Sequence, residues 1–409
     1  MAGLDAAAGG AGSASTRFVS TAPRLGFAAP LDGLRGIAII LVLLAHASFE
    51  GFASLAGGVD MFFVVSGFLI TTLLLEEDRG HGRVDLRHFY VRRALRLLPL
   101  LFLVLAATLG GAVVLHLAGV GRPTFLRETW NDVWPGAVYL SHVVHPVGWP
   151  EMVRGGLPAE RPLIQLWSLS VEEHFYVFGV AAVLICIGRR WMTALVVALT
   201  GAWLFIGTAR ALGHLGPALA WWQRPDSIFI GVLLALGNAR LPDERLGPVA
   251  RRRLGVAGTA AAVVGAGVLL VGTAFAKPLG LKVPFAPAAG GTFGDGLYWG
   301  RFGFTAVAVC TALVVLAVVR LPDLRLTRLL STRSLRAVGR RSYAIYLIHV
   351  PLFLLLREAL GNRFGDGAVL LVYLPLLVGS VELAHRFVER PVARLRHRFA
   401  PQGASGTVS

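Results

Sequence analysis

The chain has 409 residues, of which 55% are hydrophobic and 15% charged, where soluble domains carry about 45–50% and about 25%. That composition excludes an ordinary soluble enzyme. The formal charge of +16 would point to nucleic acid in a soluble protein, but the basic residues are nearly all arginines in short segments between apolar runs, so the charge marks topology and no nucleic-acid partner is expected.

The first 30 residues, rich in Ala, Gly, Ser and Thr, read as a disordered cytoplasmic tail with no cleaved signal peptide. Apolar segments then predict helices near 31–52, 57–76, 96–119, 171–188, 192–210, 224–239, 254–276, 302–319, 337–357 and 367–388. Two of the runs, 97–121 and 254–276, hold no Asp, Glu, Lys or Arg and exceed the roughly 20 residues that span a bilayer core. The expectation is an all-α, polytopic plasma-membrane bundle of about ten spans over 31–391, with both termini cytoplasmic and a second tail at 392–409. A cytoplasmic N-terminus places 28 of the 39 Lys and Arg on the inner side, in keeping with the positive-inside rule. A crossing at 132–147 would invert everything downstream and turn the arginine-rich 238–253 and 320–341 outward. Residues 120–170 are therefore read as one outer segment with a re-entrant or interfacial helix, whose backbone protein must cover. No internal repeat or inverted pair of halves is visible. Cys186 and Cys310 lie inside apolar runs, away from His or Asp at ligand spacing, so neither a disulfide framework nor a metal site is expected.

Ionisable groups inside spans are costly, which makes each a functional candidate. The first span carries Asp32, Arg35 and His46. Arg35 and His46 fall within roughly 20° of each other on one helix face, about 16 Å apart along the axis. Asp32 and Arg35 also suit a pair at the helix mouth, and His46 a packed polar position. In the second span Asp60 is either a cap for the helix N-terminus or a functional carboxylate, while Ser66-Gly67 reads as a close-packing surface. Arg92, Arg93 and Arg96 gather on one side of a helix start beside Phe89 and Tyr90, an arrangement suited to phosphates as well as to inner-surface anchoring. Glu172, Glu173 and His174 crowd the outer end of the next span, where adjacent carboxylates call for a shared proton or a nearby cation. Arg224 and Asp226 read as a structural pair. Ser342, Tyr346 and His349, at i, i+4 and i+7, form one polar stripe climbing from the inner end. Glu389 and Arg390 before Pro391 read as a helix end.

Taken in order, LDGLRGIA with His46, GVDMFFVVSGFLI, FYVRRALRLLP, LWSLSVEEHFY and GRRSYAIYLIHVP resemble acyltransferase family 3, the membrane O-acyltransferases, over roughly 31–391. The resemblance implies transfer of an acyl group, usually acetyl, from cytoplasmic acyl-CoA to a hydroxyl of a sugar-containing acceptor: an envelope polysaccharide, a glycolipid or a macrolide-type metabolite. The family's arginine–histidine motif falls on Arg35 and His46, its paired glutamates on Glu172 and Glu173, and its arginine cluster on Arg92, Arg93 and Arg96. The hydrolase-like domain fused to some members is not seen, so a one-domain transferase or relay is expected. In this reading acyl-CoA, with acetyl-CoA favoured, is the donor and no metal takes part. Arg35 and the arginine cluster hold its phosphates. His46 is the general base and one glutamate stabilises its imidazolium, with Tyr346 or His349 as oxyanion donor and Asp32 and Asp60 in support. Direct transfer and an acyl-histidine intermediate both stay open. A proton-coupled transporter or flippase would use the same His and Glu residues as a relay. The missing inverted repeats and the phosphate-suited cluster speak against it.

Overall fold

A computed structural model describes residues 18–396, apart from 27, 47–50, 145–152, 155–156, 159–160, 189–190, 216–223, 244–245 and 288–290. In chain order its helices are α1 (Ala29–His46), α2 (Gly58–His81), α3 (Leu86–Leu117), α4 (Phe125–Ala137), α5 (Ser141–Val144), α6 (Leu166–Gly188) and α7 (Met192–Ala211). They continue with α8 (Asp226–Ala239), α9 (Pro248–Val271), α10 (Trp299–Arg320), α11 (Arg325–Leu330), α12 (Arg333–Arg340), α13 (Ser342–Gly361) and α14 (Gly367–Leu395). A two-residue hairpin, Val153–Arg154 with Leu157–Pro158, is the one β element among the described residues.

Nine of these helices are long and apolar enough to cross a membrane: α1, α2, α3, α6, α7, α9, α10, α13 and α14. The tenth predicted span, 224–239, is α8, with only 14 residues described as helix. It runs beside α2 in the same direction. Ser227 at its start bonds Asp60 at the start of α2, and Gly231 meets Gly67 half-way down. A Cβ on Gly67 would stand 2.4 Å from the Ile228 carbonyl oxygen, and one on Gly231 2.3 Å from that of Val64. Only glycine lets these two backbones approach so closely. α2 is the most buried span, followed by α10 and α1, and α7 and α9 are the least buried, so α2, α10 and α1 form the centre and α7 and α9 the rim.

Glycine also fixes α1. A Cβ on Gly33 would sit 1.7 Å from the Leu330 carbonyl oxygen and one on Gly339 1.7 Å from that of Asp32. The DGLRG segment is thereby clamped against α11 and α12. Beyond α2, Gly82 adopts φ 69 and closes the helix on the Asp78 carbonyl at 2.8 Å. Asp85 then caps α3, its carboxylate accepting the His88 N–H at 3.0 Å.

Several sequence expectations shift here. α3 starts at Leu86, ten residues before the predicted 96, because the Asp85 cap nucleates it and Pro99 is absorbed inside. α6 starts at Leu166 instead of 171, since the polar-looking LWSLS turn is buried protein interior. α14 runs through a π-helical stretch, His385–Glu389, to Leu395, so Glu389-Arg390 is no helix end. Residues 18–26, expected to be disordered, form a strap under the bundle. Phe18, Ser20 and Ala22 are buried, Thr21 bonds the Ala239 carbonyl at 2.7 Å, and the Leu25 N–H donates to Glu76 at 2.6 Å. Residues 1–17, 27 and 397–409 lie outside the described residues, and Ala29 and Pro30 already belong to α1.

Part of the segment expected to hold a re-entrant or interfacial helix packs back among the long helices. Glu358 near the end of α13 grips Arg122 through its backbone N–H (2.7 Å) and Nε (2.6 Å). From there α4 descends until Gly136 packs on Leu105 and Leu166. Leu105 lies twelve residues before the end of α3, about 18 Å into the bundle. The chain turns at Tyr139, whose φ of 58 is the one positive value at a non-glycine residue among those described. Asp132, buried, is ion-paired with Arg161, so the carboxylate that α4 carries inward is neutralised.

Candidate active site

Two connected cavities run along the inner half of α1. The larger, about 450 Å³, is lined by Arg35, Arg96, Arg340 and Arg390, with only Asp32 and Glu389 to balance them. Arg96, Arg340 and Arg390 have no ion-pair partner among the described residues. The smaller is a neck of about 60 Å³ bounded by Arg35, Phe62, Ser168, Glu172, Ser342 and Tyr346. Arg35 and Tyr343 line both. The Arg35 guanidinium donates to the Ser342 hydroxyl at 3.2 Å, joining the α1 motif to the α13 stripe at the junction.

Glu172 stands in the wall of the neck. Its Oε1 accepts the hydroxyls of Ser66 and Tyr176, each at 2.5 Å, while Oε2 has no hydrogen bond among the described residues. Glu173 points elsewhere, into a bidentate ion pair with Arg93. The Arg93 guanidinium also stacks on the Tyr176 ring, 3.1 Å from its centroid. Two expectations change as a result. Neither glutamate touches His46, because the early start of α6 carries both carboxylates two turns into the bundle and down to the arginines. And the arginine cluster divides: Arg92 faces Glu77 at 3.7 Å, Arg93 is occupied by Glu173, and Arg96 alone lines the basic cavity.

The helical register of α1 brings His46 to the opposite end from Arg35, where its ring meets that of His349, centroids 5.1 Å apart and nearly perpendicular at 75°. His46 Nδ1 is 2.8 Å from the Val42 carbonyl oxygen, and His349 Nδ1 is 2.8 Å from that of Tyr346 and 3.1 Å from that of Ile345. A carbonyl can only accept, so in each neutral imidazole Nδ1 carries the hydrogen and Nε2 a lone pair. Both Nε2 atoms are buried and without a partner. In this tautomer His349 offers a base at Nε2 and not the oxyanion donor expected of it. The Tyr346 ring lies 5.6 Å from His349. Its hydroxyl donates to the Gln165 carbonyl at 2.6 Å and accepts from Ser168 at 2.6 Å. Pro351 cannot supply an N–H to the Leu347 carbonyl four residues back. Gln165 Nε2 donates to that oxygen at 3.1 Å, which ties α6 to α13 beside the histidines.

Asp60 stands apart from this. It binds Arg224 at 2.6 Å and Ser227 at 2.7 Å, while Asp226 pairs with Arg210 at 2.9 Å. The expected Arg224–Asp226 pair is thus exchanged for two buried pairs across α2, α7 and α8. Ser66, read as packing surface, is a glutamate partner, and the packing role belongs to Gly67. Sequence reasoning missed Tyr176, Ser168, Tyr343 and Arg340. Tyr176 was within reach as the i+4 neighbour of Glu172, and Arg340 as half of the pair preceding Ser342; nothing local marked Ser168.

The profile of acyltransferase family 3 (Acyl_transf_3, an acyltransferase domain) matches residues 29–384. The chain belongs to acyltransferase family 3. Relatives of this family 3 chain include the peptidoglycan O-acetyltransferase OatA of Listeria monocytogenes, 29% identical over 384 residues, 89% of this chain and 55% of the relative. The putative peptidoglycan O-acetyltransferase YrhL of Bacillus subtilis is 30% identical over 381 residues (88% and 54%), and a putative O-acetyltransferase of Staphylococcus aureus 26% over 378 (88% and 56%). The chain therefore spans about half the length of these relatives. No solved structure matches it. In this family 3 protein the motif's Arg35 lines both cavities, while its His46, at the other end of α1, faces His349.

Proposed function

We propose that this protein transfers an acetyl group from acetyl-CoA on the cytoplasmic side to a hydroxyl of an envelope polysaccharide on the outer side. The observation that carries the reading is the pair of buried imidazoles, each pinned at Nδ1 and bare at Nε2, at the far end of the helix whose Arg35 enters a basic cavity. The four arginines there suit the phosphates of CoA, because guanidinium groups bind phosphate oxygens by charge-assisted hydrogen bonds. The neck suits an uncharged linear arm: it is narrow, and its Glu172 Oε2 and Ser342 and Ser168 hydroxyls can bond amide groups. Arg93, by holding Glu173 away, leaves Glu172 as the carboxylate facing the arm.

At the outer end, Nε2 of His46 or His349 accepts the proton of the acceptor hydroxyl as the oxygen attacks the thioester carbonyl. The second imidazole, 5.1 Å away by centroid, borders the developing charge. Collapse of the tetrahedral species breaks the C–S bond, and the imidazolium returns its proton to the departing CoA sulfur. The acceptor class is carried over from the two peptidoglycan O-acetyltransferases and rests on that likeness.

The test uses inside-out membrane vesicles containing the full chain, with envelope polysaccharide enclosed and radiolabelled acetyl-CoA outside. Label in the polysaccharide, lost in His46→Ala, is the expected result. Label that enters no polysaccharide while acetyl-CoA stays intact would overturn the reading.

A further inference from the structure

A second recess opens on the outer surface of the bundle, behind the helix that carries His349. Leu100, Leu103 and Ala107 of α3, Pro351 of α13 and Ser380 and Phe387 of α14 bound a furrow of about 450 Å³. Its rim is apolar and open: Leu103, Leu383 and Phe387 are all exposed. Apart from the Thr108 and Ser380 hydroxyls its lining is apolar, which suits hydrocarbon better than water. From Leu100 to Thr108 the α3 wall runs eight residues, about 12 Å.

The furrow's inner end is charged. Leu100 and Val388 line both it and the basic cavity. Arg96, exposed and without an ion-pair partner among the described residues, lies one turn inward of Leu100 on the same face of α3, and Arg390 lies two residues beyond Val388. A ligand that fits both ends has a hydrocarbon chain joined to an anion, with the join at the membrane surface. We propose that the furrow binds an anionic phospholipid, one acyl chain lying between α3, α13 and α14 and the phosphate held by Arg96 and Arg390. A zwitterionic lipid brings a cation that the two arginines repel. An anionic headgroup does not, and each arginine near the surface favours it by about fivefold. The site needs no acyl transfer, but Arg96 and Arg390 also line the cavity assigned to the CoA phosphates, so where the transferase reading holds the lipid phosphate and CoA compete for them.

The test places a bimane fluorophore on Leu376→Cys, one turn from Ser380 and outside the furrow, with Cys186 and Cys310 replaced by Ala. The full chain is reconstituted in phosphatidylcholine vesicles and titrated with dibrominated phosphatidylglycerol or dibrominated phosphatidylcholine as quencher. Half-maximal quenching is expected at about 25-fold lower mole fraction of the phosphatidylglycerol, about fivefold for each of the two arginines. Arg96→Gln narrows the difference to a few-fold, and Ala107→Phe, which fills the furrow, lowers maximal quenching by both lipids. Equal quenching by the two lipids in the arginine-intact protein overturns the proposal, as does a headgroup preference that Arg96→Gln leaves undiminished. The lipid comparison alone decides the matter if Ala107→Phe does not fold.

Discussion

Replacing Arg93 by Gln strips the partner from Glu173 while leaving the Tyr176 ring without its stacked cation. The two side chains are 14% and 13% exposed, so the carboxylate left behind is largely cut off from water. Removing one member of a buried pair costs about 3–5 kcal/mol, and the residual exposure places this case near about 3 kcal/mol. Glu173→Gln costs a similar amount for the converse reason. The double variant leaves no uncompensated charge and two amides able to bond each other, so it costs about 3 kcal/mol and not about 6, a coupling of about 3 kcal/mol. That is roughly a hundredfold in the folded-to-unfolded ratio. Equilibrium unfolding in mixed micelles, followed by tryptophan fluorescence across the four proteins, measures the cycle. Additive losses would refute the pairing argument. So would an Arg93→Gln protein of ordinary stability whose KM for acetyl-CoA had risen tenfold, for Arg93 would then be a phosphate ligand.

His46→Ala and His349→Ala should each lower kcat by about 10²–10⁴ with insertion intact, measured with labelled acetyl-CoA; an unchanged kcat in either removes that imidazole from the chemistry. Arg96→Gln and Arg340→Gln should each raise the KM for acetyl-CoA about tenfold or more, since a hydrogen bond to a charged group is worth about 1.5–3 kcal/mol, with kcat little altered. Gly339→Val should abolish accumulation of folded protein, because even its Cβ would stand 1.7 Å from the Asp32 carbonyl oxygen. Gly110→Ala, with nothing within 4 Å of the added carbon, should stabilise α3 by about 0.5–1 kcal/mol, read by the same unfolding assay.

Much of this fold is visible in the sequence because a bilayer makes length and hydropathy decisive. Nine of the ten expected spans are long and apolar enough to cross a membrane, and the face that Arg35 and His46 share follows from helical periodicity. The stripe of Ser342, Tyr346 and His349 meets that face as its spacing predicts, Ser342 on Arg35 and His349 beside His46. What periodicity cannot give is depth between helices. A five-residue error in the start of α6 placed Glu172 and Glu173 at the membrane surface beside His46, when they lie inward beside Ser66 and Arg93. Partner choice among buried charges is likewise set in three dimensions. Arg224 and Asp226 are two residues apart, yet helix positions two apart do not face each other, and each finds its partner on another helix.

The charges in this bundle sort by whether their accounts close. Around α8, Asp60, Arg224, Asp226 and Arg210 form two carboxylate–guanidinium pairs, all four side chains nearly inaccessible. The charges cancel, with Arg224 Nε alone left without a hydrogen bond among these groups, and the pairs hold α2, α7 and α8 together. Arg93 with Glu173 closes in the same way. Along α1 the sums do not close: the basic cavity holds four arginines against two carboxylates, Glu172 uses one oxygen for two hydroxyls and leaves the other bare, and two imidazoles present unpartnered nitrogens. Burying the two imidazole nitrogens without partners costs free energy, and a fold able to neutralise Asp60 and Glu173 could have satisfied these. Excess cation at one end, a free acceptor in the neck and two free bases at the other end follow the order of an acyl-CoA: phosphates, amide arm, thioester. That order, and not the presence of any one motif residue, is the physical reason for placing donor binding and chemistry at opposite ends of the same helix.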